Sequence, residues 1–392
     1  MKRQSQYAAC LTLIVAVFAF SPPSAWAEDS PPSSKSIVAA LQPFVEKQSL
    51  AGAVTLVADK ERVLSLDTVG FADIAAKKPM QADTLFWIAS QSKPITAAAL
   101  MILVDEGKVR VDDPVDKYLP EFKDPWVIAE KDQDHVLLRK PKHPITVRNL
   151  LTHTSGMPFS SALETPTLDL LPLRDAVRSY AITPLVFEPD SKWQYSNASI
   201  NTAGRIIEVV SGMPYEEFLD KRLFGPLGMK DTTFWPSEEQ VPRLAKSYRP
   251  NKEKTGLDEM KITQLRYPLS DRRRQPMPAG GLFSTATDVG RFCQMVLNGG
   301  VYAGKRYLSE EAVKQMTSKQ TGDLQQNWGL GWSIGGDSFG HGGAHATNMN
   351  IDAKRGLITV WMVQHSGFPG DGGKSHGAFK KAAEDLFENT KK

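Results

Sequence analysis

Hydrophobic positions along this chain change period twice, and the order of the changes outlines a fold. Ile37, Leu41 and Val45 recur every fourth residue and predict a helix over 36–47. Two apolar runs follow, Ala53-Val54-Thr55-Leu56-Val57-Ala58 and Arg62-Val63-Leu64-Ser65-Leu66. The polar Asp59-Lys60-Glu61 between them makes this a hairpin pattern. From Ser92 to about Asp288 the pattern becomes helical, starting with the run Ala97 to Glu106. Loops rich in proline and glycine interrupt it, among them Asp112-Asp113-Pro114 and Gly225-Pro226-Leu227-Gly228, and the stretches Trp126 to His143 and Phe159 to Ser179 also read as loops. A short helix over Val289–Leu297 leads back to strand-like runs at 327–334, 347–351 and 357–363. A last amphipathic helix is expected over His376–Glu388. Strands near both ends with helices between them predict an α+β fold, an antiparallel sheet built from the two termini and interrupted by a large, mostly helical insertion. The corresponding domains are 28–90 plus 285–392 for the sheet and 91–284 for the helices.

The first residues do not belong to this pattern. Lys2 and Arg3 precede an apolar run from Ala8 to Phe20, and Ala25-Trp26-Ala27 ends the segment with small residues at the right spacing. That is the layout of an export signal, residues 1–27, cleaved near Ala27 to release a periplasmic or secreted protein. The apolar run falls short of the roughly 17–25 residues that span a bilayer, so no stable membrane anchor is expected after cleavage; an uncleaved anchor is the alternative. Cys10 leaves with the signal and Cys293 is then the only cysteine, which excludes an internal disulfide. Without such staples the mature chain must rely on a sizeable core, which its length allows. Its charge is nearly balanced, 45 basic residues against 44 acidic once Lys2 and Arg3 are gone. That balance gives no sign of a nucleic-acid partner, and the run Arg272-Arg273-Arg274 is expected in a solvated loop.

Three short stretches carry candidate chemistry. In Phe86-Trp87-Ile88-Ala89-Ser90-Gln91-Ser92-Lys93, the serine and lysine are three apart at the start of a helical run, so they share a face. A partly desolvated lysine loses its proton more readily and can then take the proton of a serine hydroxyl without any histidine. In Tyr195-Ser196-Asn197, a phenol placed near an amine can exchange protons with it, and an amide two residues on can orient both the amine and a substrate. In Gly340-His341-Gly342-Gly343-Ala344-His345, glycines would let a backbone edge approach a bound carbonyl closely.

In this order and at these separations the three stretches resemble the serine β-lactamase and penicillin-binding family. The tyrosine motif points to the branch of class C β-lactamases, family VIII esterases and DD-peptidases. Ile145 to Met157, Phe224 to Met229 and Pro278 to Thr285 are similar to the same family, so the resemblance covers essentially the whole mature chain. It implies a β-lactamase/DD-peptidase-like fold with the active site between the two domains. It also implies that Ser90 is the nucleophile of an acyl-enzyme, that Lys93 and Tyr195 move protons, and that Asn197 contacts the substrate. The oxyanion would lie between the backbone N–H groups of Ser90 and Ala344, beside His341 and Gly343.

The departure is at the third stretch, where many relatives have Lys-Thr-Gly and this chain has His341-Gly342-Gly343. An imidazole with an ordinary pKa of about 6.5 is mostly neutral at pH 7, and Gly342 has no hydroxyl with which to grip a carboxylate. Both changes count against efficient β-lactam hydrolysis, and the resemblance to those DD-peptidases and esterases of the family that also carry histidine here implies an ester or a D-amino-acid peptide substrate. The alternative is a penicillin- or peptidoglycan-binding protein of the same fold that acylates without turnover. No cofactor is expected.

Other motifs fail on context. Gly331-Trp332-Ser333-Ile334-Gly335 matches a nucleophile elbow, yet Ser333 is expected on a strand that continues into more strand. Gly370-Asp371-Gly372-Gly373-Lys374-Ser375 lacks the glycine that a phosphate-binding loop requires at 368, where Phe368 stands. His341 and His345 are four apart, but Gly342 and Gly343 between them oppose the helix that a zinc pair of this spacing needs. His153 is expected to hold a loop. N-terminal sequencing of the protein recovered after export should read Glu28-Asp29-Ser30, whereas a membrane-bound product that retains Lys2 and Arg3 would show an uncleaved anchor.

Overall fold

The computed structural model describes residues 32–391, so the export segment and its cleavage box lie outside the described residues. Helix α1 (Lys35–Glu46) forms where the four-residue spacing places it and buries Ile37 and Leu41. Strand β1 (Gly52–Ala58) is buried along its entire length, the pattern of a central strand covered on both faces. It pairs antiparallel with β2 (Val63–Asp73) on one side and with β15 (Leu357–Met362) on the other. The sheet thus zips the two ends of the chain together. Its full order is β12 (Ser333–Gly335), β13 (Ser338–Gly342), β14 (Asn348–Asp352), β15, β1, β2 and β3 (Lys78–Pro79), with every pairing antiparallel.

The two-residue period of the strands sorts their side chains into two cores. Val57 and Trp361 join Ile37, Leu41 and the Phe379 and Ala383 side chains of α10 (Ser375–Thr390) on one face. Val54, Leu56, Ile358 and Val360 face the opposite way, onto Val289 and Phe292 of α8 (Ala286–Leu297). This second core continues into the helical layer. There α2 (Ser92–Asp105) is buried along most of its length, which its lack of a polar face permits. It packs on α5 (Asn197–Ser211), which in turn contacts α3 (Val147–Thr152) and α4 (Leu173–Ala181). A two-residue ribbon, β4 (Phe86–Trp87) with β9 (Phe283–Ser284), joins the chain just before the helical segment to the chain just after it.

Several expectations change. The segment Trp126 to His143 is not an irregular loop; it holds a hairpin of β5 (Val127–Lys131) and β6 (Val136–Arg139). A second unexpected hairpin pairs β7 (Ser247–Pro250) with β8 (Leu257–Met260). Both carry charged residues and expose much of their length, so neither shows clean alternation. The stretch Phe159 to Ser179 runs into α4. Strand β2 extends seven residues beyond the expected Leu66 because β1 pairs with it up to Gly70 and β3 pairs with Phe71 and Asp73. The run 327–334, in contrast, is strand only from Ser333. Gly331 has a φ of +80° and its Cα lies so close to α2 that a Cβ would sit 2.7 Å from the Ala97 Cβ. Trp328, Leu330 and Trp332 are therefore buried by packing, without a ladder around Gly331.

The basic run is also not fully solvated. The Arg274 side chain is 1% exposed and its Nε donates to the buried Asp169 carboxylate at 2.7 Å. Its Nη1 donates to the carbonyls of Phe234 and Leu269. Arg273, one residue earlier, is exposed beside Asp271. Arg274→Met should lower the unfolding free energy by about 3–5 kcal/mol, because it leaves Asp169 as an unpaired buried charge. Arg273→Met should change it by less than about 1 kcal/mol, and urea unfolding of the two variants distinguishes the environments.

Candidate active site

Ser90 is delivered by the β4–β9 ribbon. Ala89 turns the chain with a left-handed φ of +46°, a conformation that costs an alanine about 1–2 kcal/mol. The Ser92 hydroxyl steadies the bend by donating to the Ala89 carbonyl at 2.7 Å. Ala89–Gln91 thus forms a 3-10 turn that abuts α2, and Ser90 lies just before the helix, half-buried. Lys93, on the first turn of α2, is fully buried beneath it.

The Lys93 Nζ lies 3.0 Å from Ser90 Oγ, 2.8 Å from Asn197 Oδ1 and 2.7 Å from the Ala279 carbonyl oxygen. Burial holds this amine well below its usual 10.5. A neutral amine has two N–H groups to donate and one lone pair. With the two N–H groups given to the oxygens of Asn197 and Ala279, the lone pair faces the Ser90 hydroxyl, as a general base requires.

The same Nζ sits 4.5 Å from the centroid of the Tyr195 ring. Burial pushes the phenol above its ordinary 10, and the neighbouring Ser90 hydroxyl offsets only part of that. Tyr195 therefore keeps its proton at neutral pH. Behind it stands His153, in a left-handed conformation at the end of α3. The His153 Nδ1 accepts the Ser196 N–H at 3.2 Å and its ring packs 4.6 Å from that of Tyr195. His153 does hold a loop, as expected, and that loop carries Tyr195. The Ser196 hydroxyl accepts the Ser199 N–H and caps α5, which sets Asn197 at the helix start. The Phe159 carbonyl receives the N–H groups of both Asn197 and Ala198.

Strand β13 supplies the opposite wall. His341 Nδ1–H donates to the Gly342 carbonyl at 2.7 Å, which leaves the lone pair on a buried Nε2 with no protein partner. Burial pushes its pKa down to about 3. Gly343 admits no side chain: a Cβ there would lie 2.2 Å from Thr347 Oγ1 and 2.6 Å from the Ile88 carbonyl. The absence of that Cβ brings the end of β13 against the turn that carries Ser90. Ala344 follows as an exposed turn residue. At Gly342 the nearest atom to a Cβ is 3.6 Å away, so a side chain fits there.

Two tryptophans that the motifs do not include complete the wall. The Trp328 ring lies 5.6 Å from that of His341 and 6.1 Å from that of Tyr195, and Trp193 lies 5.3 Å from Trp328. Both indole N–H groups are buried without a protein partner. Trp193 was within reach of the sequence, two residues before Tyr195; Trp328 carried no signal beyond its apolar run. The decoys fall elsewhere. Ser333 lies on β12 within a hairpin and not at a strand-to-helix elbow, and Gly372–Lys374 is a short turn ahead of α10.

A family model described as Beta-lactamase matches residues 37–382 of the chain. The chain belongs to the beta-lactamase family. Protein Rv1367c of Mycobacterium tuberculosis is 33% identical over 355 residues, which cover 81% of this chain and 86% of that one. Esterase EstB of Burkholderia gladioli is 30% identical over 338 residues, 80% of this chain and 81% of the relative. Among solved structures, EstCE1, a hydrolase with promiscuous acyltransferase activity, superposes with a TM-score of 0.74 at 23% identity, over 89% of this chain and 97% of that one. This likeness shows the fold, and the family assignment agrees with the resemblance carried by the three motifs. The family includes hydrolases with esterase relatives, which sets the chemical class in which the cluster is to be understood.

His341 stays neutral down to about pH 3, so protonation of the Lys93 lone pair is what should remove activity as pH falls. Wild type and His341→Gln should therefore share one acid-limb midpoint in kcat/KM. A midpoint at about 6.5 present in wild type and lost in His341→Gln would show instead that the imidazole titrates.

Proposed function

We propose that the protein is an exported serine hydrolase that cleaves esters through an acyl-enzyme on Ser90. The observation that carries this reading is the Lys93 amine, fully buried, with two carbonyl acceptors and Ser90 Oγ as its third neighbour. In the forward step Ser90 Oγ passes its proton to Nζ as it attacks the ester carbonyl carbon. The oxyanion forms between the N–H groups of Ser90 and Ala344, where fixed donors are worth most. Tyr195 gives its proton to the departing alcohol and takes one from the Lys93 ammonium, so the amine is neutral again once the acyl-enzyme exists. Water then attacks, its proton passing through Tyr195 to Lys93, and Ser90 recovers that proton as the acid leaves.

Two features support an ester over a β-lactam. The neutral His341 and the bare Gly342 offer neither a cation nor a hydroxyl to a substrate carboxylate. Trp193, Trp328 and Phe159 surround Tyr195 with apolar surface. A cavity of about 310 Å³, lined by Trp87, Leu244, Met260, Ile262, Tyr267 and Phe283 among others, lies against the β4–β9 ribbon. Its volume is at the lower end of the roughly 300–1,000 Å³ of small-molecule pockets. Ser90, Lys93 and Tyr195 are not in its lining, so it is a candidate for a remote apolar part of the substrate. The naming of a 30% identical relative as an esterase agrees with this reading.

Short-chain nitrophenyl esters, D-Ala-D-Ala peptides and a chromogenic cephalosporin, assayed in parallel, test it. Wild type should hydrolyse the esters fastest, with an acyl adduct on Ser90 seen by mass spectrometry, and Ser90→Ala should lose about 10³-fold or more. A Ser90→Ala variant that turned over esters at the wild-type rate would sink the assignment.

A further inference from the structure

The Ala279 carbonyl that receives the Lys93 amine is itself held by a buried chain of groups outside the three motifs. The Ala279 N–H donates to Asn201 Oδ1 at 3.0 Å. Asn201 Nδ2 donates to the Tyr180 hydroxyl at 3.0 Å, and that hydroxyl donates to Glu164 Oε1 at 2.6 Å. Glu164 Oε2 accepts the Ser161 N–H at 2.7 Å. Ala279, Asn201, Tyr180 and Glu164 are all buried. From the Ala279 N–H through Asn201 and Tyr180 to Glu164 Oε1 each donor points the same way, the arrangement in which each hydrogen bond polarises and strengthens the next; the Ala279 carbonyl, in the adjoining peptide unit, is held in place by this anchored backbone. The residues come from four separate places, the loop after Phe159, α4, α5 and the segment ahead of β9. That loop also touches the site directly, because the Phe159 ring stacks on Tyr195 and its carbonyl caps α5.

We infer that Glu164, Tyr180 and Asn201 are positioning residues that hold Ala279, and through it the Lys93 amine, in register with Ser90. None of them touches the reacting atoms. The role follows from connectivity: Asn201 sits one helical turn after Asn197, so α5 fixes one Lys93 acceptor directly and the other through Ala279. The inference rests on the reading of Lys93 as the base of Ser90. The titratable groups facing the amine are Tyr195, His341 and His153, and the one facing Glu164 is Tyr180.

The test uses Tyr180→Phe, which removes one oxygen and little volume, together with Asn201→Ala and Glu164→Gln. Two readouts are followed: the pre-steady-state rate of ester acylation, and the pH titration of the Lys93 ¹³Cε resonance, assigned by its loss in Lys93→Arg. Tyr180→Phe and Asn201→Ala should each slow acylation about tenfold or more with KM within about twofold. They should also move the Lys93 midpoint down by about half a unit or more, because the ammonium loses part of its hydrogen bonding to Ala279. Glu164→Gln keeps an acceptor for Tyr180 and should stay within about threefold of wild type. Wild-type acylation and an unmoved Lys93 midpoint in both breaking variants, with only the melting temperature lowered, would overturn the inference and leave the chain as ordinary core structure. The resonance reports on the amine whether or not the protein turns over an ester, so failure of the hydrolase reading shows separately, as absent acylation in wild type.

Discussion

Burying one ammonium-bearing side chain is the constraint on which this molecule depends. Removing an isolated charge from water is costly enough that a buried lysine sheds its proton instead. The fold uses that cost by enclosing Lys93 completely and surrounding its nitrogen with Ser90, Asn197 and Ala279. Those partners come from a turn before α2, from the start of α5 and from the segment ahead of β9. Each must be placed to a fraction of an ångström. The apolar length of α2, the Ser196 cap on α5 and the β4–β9 ribbon are the local devices that do so.

The second constraint is the approach of a strand edge to the serine. Gly343 permits it by having no Cβ where Thr347 and the Ile88 carbonyl already occupy the space. Two residues before it, His341 folds its Nδ1–H back onto the Gly342 carbonyl and leaves a neutral, buried Nε2 with no protein partner. Together with the aromatic rings of Trp328 and Trp193, this gives Tyr195 and Lys93 neighbours that carry no charge of their own. Such a surface suits an uncharged carbonyl better than an anionic one.

The sequence made much of this legible because two of its signals are local. The continuous apolar runs Ala53–Ala58 and Leu357–Val363 could be read directly, since a strand buried on both faces carries its own pattern. Ser90 and Lys93 could be paired from spacing alone, since a helix turn fixes which residues are neighbours. The hairpins at 127–139 and 247–260 were hidden for the opposite reason: strands that expose most of one side and carry charges have no pattern to show. Trp328 and Trp332 gave strand-like hydrophobicity where the backbone bends at Gly331, because burial by packing and burial in a ladder look alike in one dimension. Arg274 looked solvated beside Arg272 and Arg273, since its partner Asp169 lies 105 residues away.

What the sequence determined by itself was the class of fold and the spacing that sets Ser90 beside Lys93, because both follow from short-range periodicity and from the order of motifs. What only the tertiary structure decided was the state of that pair. The neutral amine, the protonated Tyr195, the uncharged His341 and the chain from Ala279 to Glu164 all depend on desolvation and on hydrogen bonds between segments far apart in the chain. Electrostatic environment is a property of three-dimensional surroundings, and residue order carries no direct record of it.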